Sequence, residues 1–214
     1  MATPRSQRRP GSKPSTKAGA KQRSGPVSFD RIQEAAIRLF GEKSYPSVGM
    51  RDLAQAVGIL PGSLYVHINS KEEVLLRIVE EGIQNYLDAI APVAESEEPA
   101  PVRLREAMKA HMRVLATSLE QTKVAFHQWT HLNAKDQQRI IALRRRYEEL
   151  FDGILAQGVK SGEFRNIRHP HVVALGIIGT LNSATEWFSP SGPLEAEEIA
   201  EAFADTALIG LQQD

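Results

Sequence analysis

The chain has 214 residues and no cysteine; 42% of it is hydrophobic and 24% is charged. That is a globular composition, and the absent cysteine excludes disulfides, thiolate metal sites and a cysteine nucleophile, in keeping with a reducing, cytoplasmic setting. The net charge of zero hides a segregation: seven basic residues and no acid stand in positions 1–25, which leaves 19 basic against 26 acidic residues, net −7, in the rest.

Residues 1–26 carry Arg5, Arg8, Arg9, Lys13, Lys17, Lys21 and Arg23 among Ser, Gly and Pro, with no apolar periodicity. This predicts a disordered basic arm, of the kind that suits an anionic partner. No apolar stretch follows the basic residues, so no secretory signal is expected. Ordered structure is expected from Val27. Ile32, Ala35, Ala36, Leu39 and Phe40 mark one face of a helix, with Ser28 as its cap and Gly41 as its end. Met50, Leu53, Ala54 and Val57 give a short second helix stopping at Gly58. A third begins near Pro61, whose fixed φ suits a first helical turn. Ser70-Lys-Glu-Glu73 reads as a capping box before a long helix through Val74, Ile78, Ile83, Tyr86 and Ile90. Further helices are expected at roughly 102–119, 121–132, 134–161, 169–188 and 193–212. No segment alternates long enough for a sheet. The longest apolar run, Val172 to Leu181, is too short to span a bilayer. The fold class is all-α, about nine helices.

Three short helices crowd into residues 28–68, and the second and third meet at Gly58, where glycine permits a sharp turn. Two short helices joined so form a helix-turn-helix, whose second helix enters the major groove with its N-terminal residues at the bases. Here those are Pro61, Gly62, Ser63 and Tyr65. Gly62 lets the backbone approach, Ser63 can bond a base edge or a phosphate, and Tyr65, His67 and Lys71 can reach phosphates. The string Arg51-Asp52-Leu53-Ala54, Gly58-Ile59, Gly62-Ser63-Leu64-Tyr65, His67 and Ser70-Lys71-Glu72-Glu73 resembles the DNA-binding domain of TetR-family transcriptional regulators. The resemblance covers residues 28–75 and implies a core of Leu53, Ala54, Val57 and Leu64. It also implies DNA contacts from Arg51, Pro61, Gly62, Ser63, Tyr65, His67 and Lys71. Two places depart from the family pattern: Val48-Gly49 precedes the second helix and Leu60 precedes the third, where Ser or Thr is common. The reading helix therefore offers few polar side chains, and base discrimination falls to Ser63, Tyr65, thymine methyls and DNA shape. Beside such a head the arm either follows phosphates and the minor groove or adds only weak non-specific affinity.

The resemblance implies a division into the arm at 1–26, a DNA-binding domain at 27–73, and an effector-binding and dimerisation domain at 74–214. Val172 to Phe188 is apolar on nearly all sides, which predicts burial on more than one face, with Gly176 and Gly179 admitting close helix approach. With the last helix it would form an isologous homodimer interface. Phe126, His127, Trp129, Thr130 and His131 mix large rings with polar groups, as a small-molecule pocket does. His127 and His131 have the spacing of a metal pair, but no third ligand is evident, and no metal or other cofactor is expected. Arg144-Arg145-Arg146 is either a solvated face or an anion site for an effector's phosphates; Arg145 and Trp187 complete the expected pocket. Trp187 to Leu194 also resembles a turn in family members that control lipid and steroid breakdown, which implies an acyl-CoA thioester as effector; another hydrophobic metabolite or drug is the rival. No phosphate-binding, dinucleotide or nucleophile-elbow motif is present, so an enzyme is not expected. The expected partners are double-stranded DNA with a palindromic operator, a small effector and a second copy of the chain, with no membrane. A constitutive or architectural DNA binder and a ligand-dependent activator are the alternatives to a ligand-released repressor.

Overall fold

The computed structural model describes residues 27–212; the basic arm expected at 1–26 lies outside them. Among the described residues the regular structure is nine α-helices and two short 3-10 turns. Helix α1 (Phe29–Lys43) opens on Ser28, whose hydroxyl accepts from the Arg31 N–H at 3.4 Å. It does not stop at Gly41: the chain leaves the helix at Ser44, which takes φ 63°. At Gly41, which is exposed, an added Cβ would meet only the flexible end of the Glu120 side chain.

Helix α2 (Met50–Val57) starts at Gly49, whose N–H the Asp52 carboxylate accepts at 2.7 Å. It ends at Gly58, φ 77°, where the Ile59 N–H turns back to the Ala54 carbonyl at 3.0 Å; this left-handed conformation costs glycine little. Helix α3 (Pro61–Leu64) is a single turn that runs into further turns. Helix α4 (Lys71–Ala94) opens on Ser70, which accepts from the Glu73 N–H at 3.1 Å. The return bond of the expected capping box goes one residue further back. Glu73 accepts from the Asn69 N–H at 2.8 Å and from the Asn69 amide at 3.0 Å.

Helices α5 (Ala100–Thr117), α6 (Leu119–His127), α7 (Ala134–Ser161), α8 (Pro170–Trp187) and α9 (Ala196–Ile209) complete the chain. The helix expected over 121–132 is divided. It ends at His127, and Trp129–His131 form a 3-10 turn before Asn133 caps α7 by accepting from the Asp136 N–H at 3.0 Å.

Helices α1 to α3 make a small head, and α4 runs from it into the body, where it packs against α5, α6 and α7. Gly82 sets one of those contacts: a Cβ there would lie 2.8 Å from the Ala125 Cβ, so α4 and α6 approach closely. The buried side chains form one continuous core, from Ile32, Phe40, Leu53 and Leu64 in the head to Tyr86, Leu104 and Phe151 in the body. Each such large side chain contributes about 1.5–3 kcal/mol on burial. Helix α9 lies along α5 under a row of ion pairs: Arg105 with Glu201 and Asp205, Lys109 with Glu201, and Arg113 with Glu197. Exposed pairs of this kind stabilise little; buried Leu104, Met108, Ala200 and Ala204 on the same two helices contribute more.

Helix α8 is covered on one side only within the chain. Ala174, Ile177, Ile178, Leu181 and Ala184 are buried, while Val172 is 65% and Leu175 42% exposed. An added Cβ at Gly176 or Gly179 would meet nothing within 4 Å. Among the described residues no helix is long and apolar enough to cross a membrane.

Candidate nucleic-acid interface and interior cluster

The head presents one face outward. Leu53, Ala54, Val57, Leu64 and Ile68 close its core, which leaves Arg51, Pro61, Gly62, Ser63, Tyr65 and His67 exposed together. Leu60 is 76% and Val66 82% exposed beside them.

Tyr45 fastens the head to the body. The Gln128 side chain accepts from the Tyr45 N–H at 2.8 Å and donates to the Phe40 carbonyl at 3.3 Å. The Lys71 amine donates to the Tyr45 carbonyl at 3.0 Å and the Val48 carbonyl at 2.8 Å, and lies 4.2 Å from the centre of the Tyr45 ring. The other neighbours of that ring are His131, stacked at 5.5 Å, and Phe40, edge-on at 5.1 Å. Burial, with Glu72 nearby, raises the Tyr45 pKa. Glu72 also receives the Asn133 N–H at 2.6 Å, which ties the start of α4 to the start of α7.

In the body, α4 to α7 converge on a polar and aromatic cluster. The Tyr86 and Thr122 hydroxyls are 3.0 Å apart, and His111 Nδ1 is 2.9 Å from the Tyr147 hydroxyl. Tyr86 lies 4.6 Å from the His111 ring, 5.3 Å from Phe126 and 6.0 Å from Tyr147. Burial pushes the His111 pKa down to about 3 and raises those of Tyr86 and Tyr147, so all three are neutral. At the edge of the cluster the Arg144 guanidinium lies 5.5 Å from the Phe126 ring and 5.4 Å from the Trp129 ring.

Two family models match this chain. The model for bacterial regulatory proteins of the tetR family covers residues 32–78, and that for a tetracyclin repressor-like C-terminal domain covers residues 97–211. The chain belongs to the TetR family. The transcriptional repressor KstR2 of Rhodococcus jostii is 29% identical over 189 residues, 84% of this chain and 89% of that protein. The fatty acid metabolism regulator protein of Bacillus subtilis is 23% identical over 184 residues, 86% of this chain and 95% of the relative. The crystal structure of the TetR-family transcriptional regulator PfmR from Thermus thermophilus superposes with a TM-score of 0.79 at 35% identity, covering 86% of this chain and all of that one.

In this TetR-family chain the residues expected to face DNA are exposed, with the exception of Lys71, which is partly buried. Lys71 turns inward, with two donors engaged by carbonyls of the segment between α1 and α2, so it braces the head rather than reaching freely for a phosphate. The expected pocket residues scatter. Phe126 and Trp129 face the interior with Arg144, whereas Arg145 is exposed, because one residue rotates a helix by about 100°. Trp187 is 52% exposed and packs edge-on against Phe203 of α9, away from the Phe126 cluster. His127 lies 3.4 Å from both the Thr185 hydroxyl and the Glu186 carboxylate, while His131 stacks on Tyr45. The two histidines therefore serve different neighbours, since the helix that would align them ends at His127. Thr130 is exposed, its carbonyl accepting from Gln137 at 2.9 Å.

Tyr45, Gln128, His111, and Arg144 as distinct from its neighbours, are functional candidates that the structure adds. Tyr45 and Gln128 stand 83 positions apart, and no local pattern announces such a pair. His111 sits among apolar residues at helical spacing, which was a signal available in the sequence.

Proposed function

We propose that the protein is a transcriptional repressor that holds a palindromic operator as a homodimer and releases it when a small amphipathic effector enters the body. The observation that carries this reading is the exposed face of α2 and α3 over a closed core. A helix presented so fits the major groove. Gly62 gives room for the DNA, Ser63 offers a hydroxyl to a base edge, and Arg51, Tyr65 and His67 hold phosphates. Leu60 and Val66 suit thymine methyl groups. The uncovered face of α8, with Val172, Leu175, Gly176 and Gly179, pairs with its own copy, joined by Trp187 and α9. Two heads then stand about 34–36 Å apart, one turn of DNA.

In this reading residues 27–73 bind DNA, and residues 74–214 take the effector and form the dimer, with α4 spanning both. An effector that moves α4 or the α6–α7 turn alters the head spacing; coupling of about 1–3 kcal/mol makes a useful switch. The protein is a binding protein rather than an enzyme and works in the cytoplasm, where the DNA is. One relative is a repressor and another a regulator of fatty acid metabolism, which supports both the sign of control and a lipid-type effector. Acyl-CoA thioesters are the effectors to try first.

The test is a titration of a labelled DNA fragment from upstream of the protein's own gene, at fixed salt. Tyr65→Ala should weaken binding about ten-fold, the size of one lost contact, with the dimer unchanged in sedimentation. Unchanged affinity overturns the assignment of the reading helix. Binding that no acyl-CoA thioester releases favours a constitutive DNA binder instead.

A further inference from the structure

Among the described residues, Arg144 in the body holds a positive charge with no ion pair. Arg144 is partly buried on the inner side of α7, and its Nη1 atom is buried with no hydrogen-bond partner. Its described contacts are the faces of Phe126 and Trp129. Arg139, on the same helix, is by contrast paired with Glu80 at 2.5 Å. Burial lowers the pKa of Arg144, and Glu148, which attracts it from one turn away, makes no ion pair with it. Aromatic faces return part of what a guanidinium loses on leaving water, but a buried charged donor left unmade is among the costlier features of a protein interior.

A second observation lies further in. His111 is wholly buried and neutral, with Nδ1 at the Tyr147 hydroxyl and Nε2 without a partner. The two orphaned groups are joined by rings: Arg144 lies over Phe126, Phe126 is 5.3 Å from Tyr86, and Tyr86 is 4.6 Å from His111. The result is an aromatic lane with a cation at one end and a neutral hydrogen-bonding imidazole at the other.

We propose that Arg144 is the receptor for an anionic group of the effector, whose apolar body lies along Phe126 and Tyr86 toward His111. This rests on the reading of the body as the effector domain. The ligand chemistry is an apolar chain linked to an oxyanion, directly in a free acid and through the pantetheine arm to the phosphates in a CoA thioester. A planar guanidinium suits both oxyanions. Engaging the anion takes the guanidinium from the Trp129 ring, and Trp129 adjoins Gln128, whose amide clamps Phe40 and Tyr45 in the head. The site and the side chain that clamps the head are thus neighbours in the chain.

The experiment is a calorimetric titration of the full chain, without DNA, with octanoyl-CoA, octanoate and uncharged octanamide. The wild type should bind at least one of the two anions. Arg144→Gln should weaken that binding about ten-fold or more, and Arg144→Lys should restore part of it, since the charge returns without the planar fork. Octanamide should bind all three proteins alike, which separates loss of the anion contact from a general packing defect. A loss seen with octanoyl-CoA alone assigns the phosphate source, and a loss with octanoate assigns the carboxylate. Equal anion affinity in wild type and Arg144→Gln overturns the proposal, as does a wild type that binds neither anion. Operator release is then measured separately. Binding that depends on Arg144 but leaves operator affinity unmoved overturns the release reading and supports this one. Release of operator by octanoyl-CoA from Arg144→Gln as readily as from wild type does the reverse.

Discussion

At the scale of residues, His111 ties stability to pH. Its imidazole has an ordinary pKa near 6.5 in the unfolded chain and about 3 in the fold, where burial disfavours the charged form. Between those values the unfolded chain binds a proton that the folded chain refuses. Stability is therefore full above the unfolded pKa and falls as the pH drops toward the folded one. The extra slope is at most about 1.4 kcal/mol per pH unit. His111→Phe keeps a ring in place and removes the titration. It should start less stable by about 1–3 kcal/mol, because the Tyr147 hydroxyl loses its partner, yet lose less per pH unit than wild type in urea melts from pH 7 to pH 4. Parallel slopes would show that His111 is not held neutral. The same neutrality makes His111 a hydrogen-bonding group rather than a charge toward anything that reaches the interior.

At the scale of elements, the break between α6 and α7 ties the body to the head. Gln128 caps α6, and its side chain bridges two backbone groups of the head, while Asn133 caps α7 and is held by Glu72 of α4. A displacement of α6 therefore reaches the head through one amide. Gln128→Leu keeps the approximate volume and deletes both bonds. It should lower the melting temperature and narrow the ratio of operator affinities measured without and with effector. An unchanged ratio would place the coupling on α4 alone. The close contact at Gly82 adds to this, because α4 and α6 touch where an added methyl group would collide with Ala125. Two helices packed so closely shift together more readily than they slide.

At the scale of the whole molecule, the outer face of α8 is where the proposed dimer would meet. Val172 and Leu175 are exposed beside two glycines with open space above them. An apolar stripe of this kind on a single chain marks a contact surface. Leu175→Glu puts a charge at that surface, and in a homodimer it does so twice. Sedimentation should show monomers at concentrations where the wild type is dimeric, and operator binding should weaken with them, because one head alone reads half a site. A Leu175→Glu chain that stays dimeric would move the interface elsewhere. The folding of the head should survive, since its core of Leu53, Ala54, Val57 and Leu64 lies in other helices.

Much of the fold was legible in the sequence because its causes are local. Ser28 capped α1, Gly58 turned the chain between α2 and α3, Pro61 opened the reading helix, and the long apolar periods became α4 and α7, since each of these depends on neighbours a few positions away. The outward face of the head was legible too, because the residues left over from a small core have only solvent to face. Lys71, expected at a phosphate, has two of its donors engaged by the carbonyls of residues 45 and 48, brought back by the turn after α1, which no local pattern shows. Gln128 has no local pattern that marks it, because its partners Phe40 and Tyr45 lie 88 and 83 positions away. The arginine run at 144–146 shows the limit most clearly. Composition marks a basic patch, but which arginine turns inward depends on the phase of α7 against α4 and α6, and a single step along the helix exchanges aromatic rings for water. Local chemistry thus determined the helices and the head; long-range packing alone decided which polar groups were left buried without partners.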